Sequence, residues 1–193
     1  MRVVGGEWGS RRLRSPGGVN LRPTSDRLRE SLFDILGPAV AGAAFVDGFA
    51  GSGAVGLEAF SRGARPVVWI EGAAPAQKLL RANLAALGIA ADPDAIVLAR
   101  RLPAALNELA RQPRLRAAGG AEFVFLDPPY AENRAPEQVL LGLEQHREAL
   151  APEVRVIIET RAGAALATEV GCWRRTRLHR LGDSQLAFFK AED

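Results

Sequence analysis

From residue 43 onward, short apolar runs alternate with stretches of helical spacing, and that rhythm admits few folds. The apolar runs at 43–47, 66–70, 95–99, 122–126 and 153–159 read as strands. Between them, 54–62, 74–87, 103–112 and 135–149 read as helices, several rich in Ala and Leu at i, i+3 and i+4. Strand and helix in strict turn predict an α/β domain with a parallel sheet and crossover helices. After residue 159 the rhythm changes. No helix long enough for a crossover separates 172–179 from 184–190, so these predict a terminal antiparallel pair with Gly182-Asp183 in its turn. The segment 113–121, rich in Pro, Arg, Gly and Ala, reads as a loop.

Ahead of the sheet, Val3-Val4 and Arg11-Arg12-Leu13 flank a glycine-rich bend that suits a hairpin. Thr24 or Ser25 can cap a helix through Leu36, with Leu28, Leu32 and Leu36 on one apolar stripe. The chain therefore divides into an extension, 1–36, and a main domain, 37–193. No apolar run approaches the roughly 18 residues that span a bilayer, and the first residues lack a signal-peptide core, so a cytoplasmic protein is expected. One cysteine, Cys172, and two histidines, His146 and His179, offer neither a disulfide nor a metal-ligand cluster. The net charge of +3 is unevenly spread. Residues 1–30 carry seven arginines against three acids. Such an arm suits phosphate, because arginine contacts release condensed counterions; a solvated basic surface is the competing reading. Arg174, Arg175, Arg177 and Arg180 form a second basic cluster with the same two readings.

The run Phe123-Val124-Phe125-Leu126 ends abruptly in Asp127-Pro128-Pro129-Tyr130. Pro128 has no N–H to give a sheet ladder, so the strand stops there and leaves Asp127 at its carboxyl end, where open α/β sheets bind ligands. A carboxylate, free carbonyls in a stiff proline segment and a flat ring together suit a planar group bearing an NH2. Asp127 and a proline-segment carbonyl can accept its two N–H bonds while Tyr130 stacks on its face.

A second constellation precedes it. The strand Ala43–Asp47 runs into Gly48-Phe49-Ala50-Gly51-Ser52-Gly53 and then a helix, a loop that lets backbone approach a ligand at a helix amino terminus. Gly51 to Gly56 is literally G-x-G-x-x-G, and Glu71, which ends the next strand, can accept from a ribose diol. The literal match admits a nicotinamide dinucleotide and thus an oxidoreductase. Asp47 argues otherwise: its negative charge beside the loop offers nothing to a pyrophosphate but suits a cofactor with a cationic centre, such as S-adenosylmethionine.

The two motifs in this order resemble Rossmann-like, class I S-adenosylmethionine-dependent methyltransferases of exocyclic amines. Arg2-Val3-Val4-Gly5-Gly6 and Leu21-Arg22-Pro23-Thr24-Ser25-Asp26-Arg27-Leu28-Arg29-Glu30-Ser31-Leu32-Phe33 narrow the likeness to the bacterial RsmD family, over nearly the whole chain. The resemblance implies a mostly parallel seven-stranded sheet with a carboxyl-terminal antiparallel hairpin. It implies methyl transfer from S-adenosylmethionine to guanine N2 in small-subunit (16S) ribosomal RNA, by a monomer acting on the RNA or an assembling subunit, without metal. The catalytic segment would be Asp127, Pro128, Pro129 and Tyr130. The cofactor would meet Thr24, Asp47, Phe49, Ala50, Gly51, Ser52, Gly53 and Glu71. Arg2, Arg11, Arg12, Arg22 and Arg27 would meet RNA, and Arg29 is expected to hold phosphate or brace the cofactor pocket.

Two departures stand out. Relatives often carry Asp after the glutamate where this chain has Gly72, and Asp or Asn near the third strand's end where it has Arg100-Arg101. Neither arginine is assigned to the cofactor. Asp-Pro-Pro-Tyr sites also serve adenine N6 and cytosine N4, so the base follows from resemblance alone; a non-catalytic RNA-binding module is the remaining alternative.

Overall fold

The computed structural model describes residues 1–15, 25–129 and 135–192. In chain order the elements are helix α1 (Asp26–Leu36), strand β1 (Phe45–Gly48), α2 (Ala54–Ser61), β2 (Val67–Ile70), α3 (Ala74–Ala86), β3 (Ala95–Leu98), α4 (Leu106–Ala110), α5 (Pro113–Ala117), β4 (Ala121–Leu126), α6 (Ala135–Gln145), β5 (Leu150–Arg161), β6 (Glu169–Val170), β7 (Trp173–Leu181) and β8 (Ser184–Ala191). They build one sheet in the order β3-β2-β1-β4-β5-β8-β7-β6. The first five strands are parallel, and β8, β7 and β6 join antiparallel. This is the Rossmann-like architecture expected, with helices on both faces.

The apolar runs became strands because both faces are covered: every residue of β1 and β2 is buried. One core face joins Phe45, Phe123, Phe125 and Ile157 to α1, α2 and α3. The other joins Val46, Val124, Val156 and Ile158 to α4, α5 and α6. The aromatic rings of Phe33, Phe45 and Phe123 lie face to face at 6.1 Å spacings, which ties α1 to the sheet centre. Helix α1 starts where Ser25 accepts from the Leu28 N–H at 3.2 Å, and buries Leu28, Leu32 and Leu36.

Three expectations are corrected. The described residues hold eight strands rather than seven, because Glu169-Val170 adds a two-residue edge strand too short to register in a sequence pattern. The 113–121 segment is not all loop: Pro113 at the first turn starts α5, which buries Leu115. The helices expected at 103–112 and 135–149 are shorter, ending at α4 and at Gln145, before a 3-10 turn at Arg147–Ala149. Among the described residues no helix is long and apolar enough to cross a membrane.

Candidate active site

Parallel pairing sets Asp47 beside Phe125 and Gly48 beside Leu126, so β1 and β4 end together. The Asp127 N–H donates to the Gly48 carbonyl at 3.3 Å, continuing that pairing one residue past the strand. Asp127 is half-buried, Pro128 buried and Pro129 exposed, whereas Tyr130 lies outside the described residues. Side chains alternate along a strand, so Asp127 shares its face with Phe125. The β4–β5 register, Leu126 with Ile158, carries the same row on to Glu159. Glu159 is only 4% exposed and accepts from the Ser184 hydroxyl at 3.1 Å. The sequence reading missed it, although a carboxylate after Ile157-Ile158 repeats the pattern that marked Asp127.

The loop from Gly48 to Gly53 is shaped by its own backbone. Phe49 holds φ 61°, a conformation costly for a side chain with a Cβ. Gly53 sits at φ 80°, a conformation that strains any other residue, and a Cβ there would lie 2.2 Å from Leu80 Cδ1, so the tip of that leucine would have to shift. The Ala50 N–H donates to Ile70, and Gly53 to Ala50. Glu71 braces the loop from the neighbouring strand: one carboxylate oxygen accepts from the Gly51 N–H and the other from Ala73, both at 2.7 Å. Each oxygen keeps a further lone pair for a diol.

Asp47 points inward. It is 1% exposed, and its carboxyl accepts from the Gly56 N–H at 2.8 Å, three residues into α2. Burial raises its pKa from 3.8 to about 8 despite that hydrogen bond, and the nearby Glu71 charge adds to the rise. That shift favours the protonated carboxyl, and its hydrogen bond in this structure anchors the helix that follows the loop.

The amino-terminal segment is fastened to this same loop. Arg2 and Arg12 form an antiparallel bridge, with Val3 N–H to Arg11 and Ser10 N–H to Val3 closing the bend. Buried Glu58 on α2 accepts from Val4 N–H at 2.6 Å, Gly5 N–H at 2.8 Å and Arg62 Nε at 2.8 Å. Asn83 on α3, fully buried, accepts from Arg14 N–H at 2.8 Å and donates to the Arg14 and Ser52 carbonyls at 3.1 and 2.9 Å. Ser52 also turns its hydroxyl to the Met1 sulfur at 3.6 Å. Asn83 joins residues 69 and 31 positions away, a link with no local sequence signal.

Of the arginines, Arg2, Arg11, Arg12 and Arg27 are exposed, while Arg22, like Thr24, lies outside the described residues. Arg29 is the exception: it is fully buried and bonds through Nη2 to the Arg2 carbonyl and to Asp26. Burial lowers its pKa, against the pull of Asp26, Glu58 and Asp47. No phosphate can reach it, so of its two expected roles only bracing survives. On the other side of the glycine loop, a Cβ at Gly72 would lie 2.1 Å from Arg101 Cγ, so the missing side chain makes room for the arginine stem. Arg100 pairs outward with Glu108 at 2.8 Å. A cavity of about 480 Å³, lined by Phe33, Asp34, Val40 and Arg62, lies at the opposite, amino-terminal edge of the strands and includes none of these groups.

The family model described as Conserved hypothetical protein 95 matches residues 1–190. Ribosomal RNA small subunit methyltransferase D of Escherichia coli (strain K12) is 36% identical over 181 residues, 93% of this chain and 83% of that protein. YlbH of Bacillus subtilis (strain 168) is 31% identical over 190 residues, 98% of each chain. The solved structure of yhhF from Escherichia coli superposes with a TM-score of 0.79 at 32% identity, covering 100% of this chain and 98% of that one. With likeness running from the amino-terminal hairpin through the closing strands, the chain belongs to the RsmD family.

Proposed function

We propose that this protein transfers a methyl group from S-adenosylmethionine to the exocyclic N2 amine of a guanine in small-subunit (16S) ribosomal RNA. One observation carries the reading: the β1–β4 register brings Asp127 and the proline segment to the end of the sheet that holds the glycine loop and Glu71. A relative that covers most of the chain bears the name of a ribosomal RNA small subunit methyltransferase, which supports RNA as the substrate. We place the enzyme in the cytoplasm, acting as a monomer on RNA or an assembling subunit.

When bound, S-adenosylmethionine supplies an electrophilic methyl on a cationic sulfur. Phe49, Ala50, Gly51, Ser52 and Gly53 would line its approach, Glu71 would accept from its ribose, and Thr24 would join the site residues. The target base leaves its stack to reach the strand ends. Asp127 and the Pro128 carbonyl accept the two N2 hydrogens and draw the nitrogen lone pair out of the ring system, while Pro129 stiffens the segment and Tyr130 stacks on the base. With the methyl supplied by the bound cofactor, Asp127 would take the proton displaced from nitrogen or pass it to water. Alignment at about 3–3.5 Å supplies much of the rate gain. Arg22 and the exposed Arg2, Arg11, Arg12 and Arg27 hold phosphates.

The test is transfer of labelled methyl to bulk RNA and to small-subunit particles, followed by nucleoside analysis. Label in N2-methylguanosine is the expected result. Label in N6-methyladenosine or N4-methylcytidine would select the alternative bases for the same site, and no transfer with intact RNA binding would favour a binding module. Tight NAD binding without S-adenosylmethionine binding would point to the oxidoreductase.

A further inference from the structure

The two arginine clusters, some 150 residues apart in sequence, meet across α1. On one side of the helix, Arg2 reaches Asp26 at 3.5 Å and its carbonyl receives Arg29. On the other, the Ser31 hydroxyl lies 2.8 Å from His179 Nε2, which fixes β7 against the same helix. Strand β7 carries Arg174, Arg175, Arg177, His179 and Arg180 and no acid.

These arginines are not equivalent. Arg174 is engaged by Glu192 at 2.7 Å and Glu169 at 3.3 Å, and Arg175 donates to the Leu166 carbonyl. Arg177 and Arg180 are exposed and have no ion pair among the described residues. The register sets Arg177 beside Phe188 and His179 beside Leu186, on the core face that α1 covers, with the Arg177 guanidinium 5.8 Å from the Phe188 ring. Exposed Arg161, opposite Ser184 at the end of β5, shares that face by alternation. Beyond Arg174, β7 has no strand on its outer side among the described residues.

We infer that Arg161 and Arg177 form a second phosphate-binding surface for the RNA substrate, continuous across α1 with the amino-terminal arginines, whereas Arg180, opposite Gln185, turns to the other face. This rests on the reading above that RNA is the substrate. Three strand spacings of about 4.8 Å separate β4 from β7, so the surface stands about 14 Å from Asp127, within reach of nucleotides flanking an extruded base. Guanidinium forks match phosphate oxygens, and Arg177, steadied by Phe188, is already extended over the sheet. The rival reading is that these charges only keep an open edge strand from pairing with another chain.

The full-length protein tests this with small-subunit RNA as probe. In Arg161→Ala/Arg177→Ala, the slope of log affinity against log salt should shrink by about 0.9 for each phosphate no longer neutralised. KM for RNA should rise about tenfold, with kcat and S-adenosylmethionine affinity unchanged. The pair Arg111→Ala/Arg116→Ala removes the same charge from exposed sites on the far side of the sheet and should leave slope and KM as in wild type. A wild-type slope in the Arg161/Arg177 variant, an equal change in the control pair, or aggregation alone would overturn the surface. Wild-type protein that neither binds nor methylates RNA would instead overturn the reading on which it rests.

Discussion

The two ends of the sheet are built on opposite terms. In the parallel half, β1 and β2 are buried throughout, and the site is made where strands stop: backbone bonds from Ala50, Gly51 and Gly53, a carboxylate brace from Glu71, and Asp127 beside Gly48. In the antiparallel end, β7 shows mostly exposed or half-buried side chains and a row of arginines. Each task sits where its physics allows. Holding a small reacting group needs a fixed backbone that burial enforces, whereas holding a long polyanion needs charges in water, where they can pair with phosphate.

That contrast breaks most sharply at Asp127. Asp127→Ala should lower methyl transfer by about 10²–10⁴-fold, with S-adenosylmethionine affinity near wild type by calorimetry. Near-normal turnover would remove the carboxylate from the chemistry.

The next largest effect is on folding. Glu58→Ala leaves the Val4 and Gly5 N–H groups and Arg62 without their acceptor, at a cost of about 3–5 kcal/mol. At about 2–4 °C per kcal/mol the melting temperature should drop by roughly 10 °C, and Glu58→Gln should recover part of it. An unchanged melting point would mean that the amino-terminal segment is not fastened through α2. Because Val3, Trp8 and Leu13 are buried, deleting residues 1–14 would remove core along with charge.

Asp47 sharpens the interior side of the comparison. Its folded pKa, raised to about 8, exceeds the ordinary 3.8, so the folded state binds the extra proton between those values. Stability from this group is complete below about pH 4 and is lost as pH rises toward 8. Asp47→Asn keeps an acceptor for Gly56 and cannot ionise. Its melting temperature should therefore fall less than that of wild type between pH 5.5 and 8, by several degrees. Parallel curves would contradict the protonated carboxyl. The smallest effect belongs to the outer side: Arg11→Ser/Arg12→Ser should weaken RNA binding a few-fold and reduce the salt slope by about 0.9 for each phosphate given up, read by titration at several ionic strengths.

β1 and β2 were legible because strands buried on both faces are chiefly apolar, and β3, β4 and β5 because each carries an apolar run, at 95–98, 123–126 and 156–158. The glycine loop and Asp127 were legible because their constraints are local: a turn, a strand stop, a helix start. Long-range links were not. Nothing near Asn83 announces that it joins Arg14 to Ser52, nothing near Arg29 says that it lies inside rather than on the arm, and the direction in which Asp47 points depends on Gly56 lying against it. Gly72 and Arg101 looked like two separate departures and prove to be one packing arrangement.

Whether the glycine loop and the Asp127 segment form one cofactor-bearing site is read most directly by backbone hydrogen exchange of the full chain with and without S-adenosylhomocysteine. Added protection should be confined to residues 48–53, 71–73 and 127. Protection at the cavity lined by Phe33, Val40 and Arg62, with none at the strand ends, would refute the shared site.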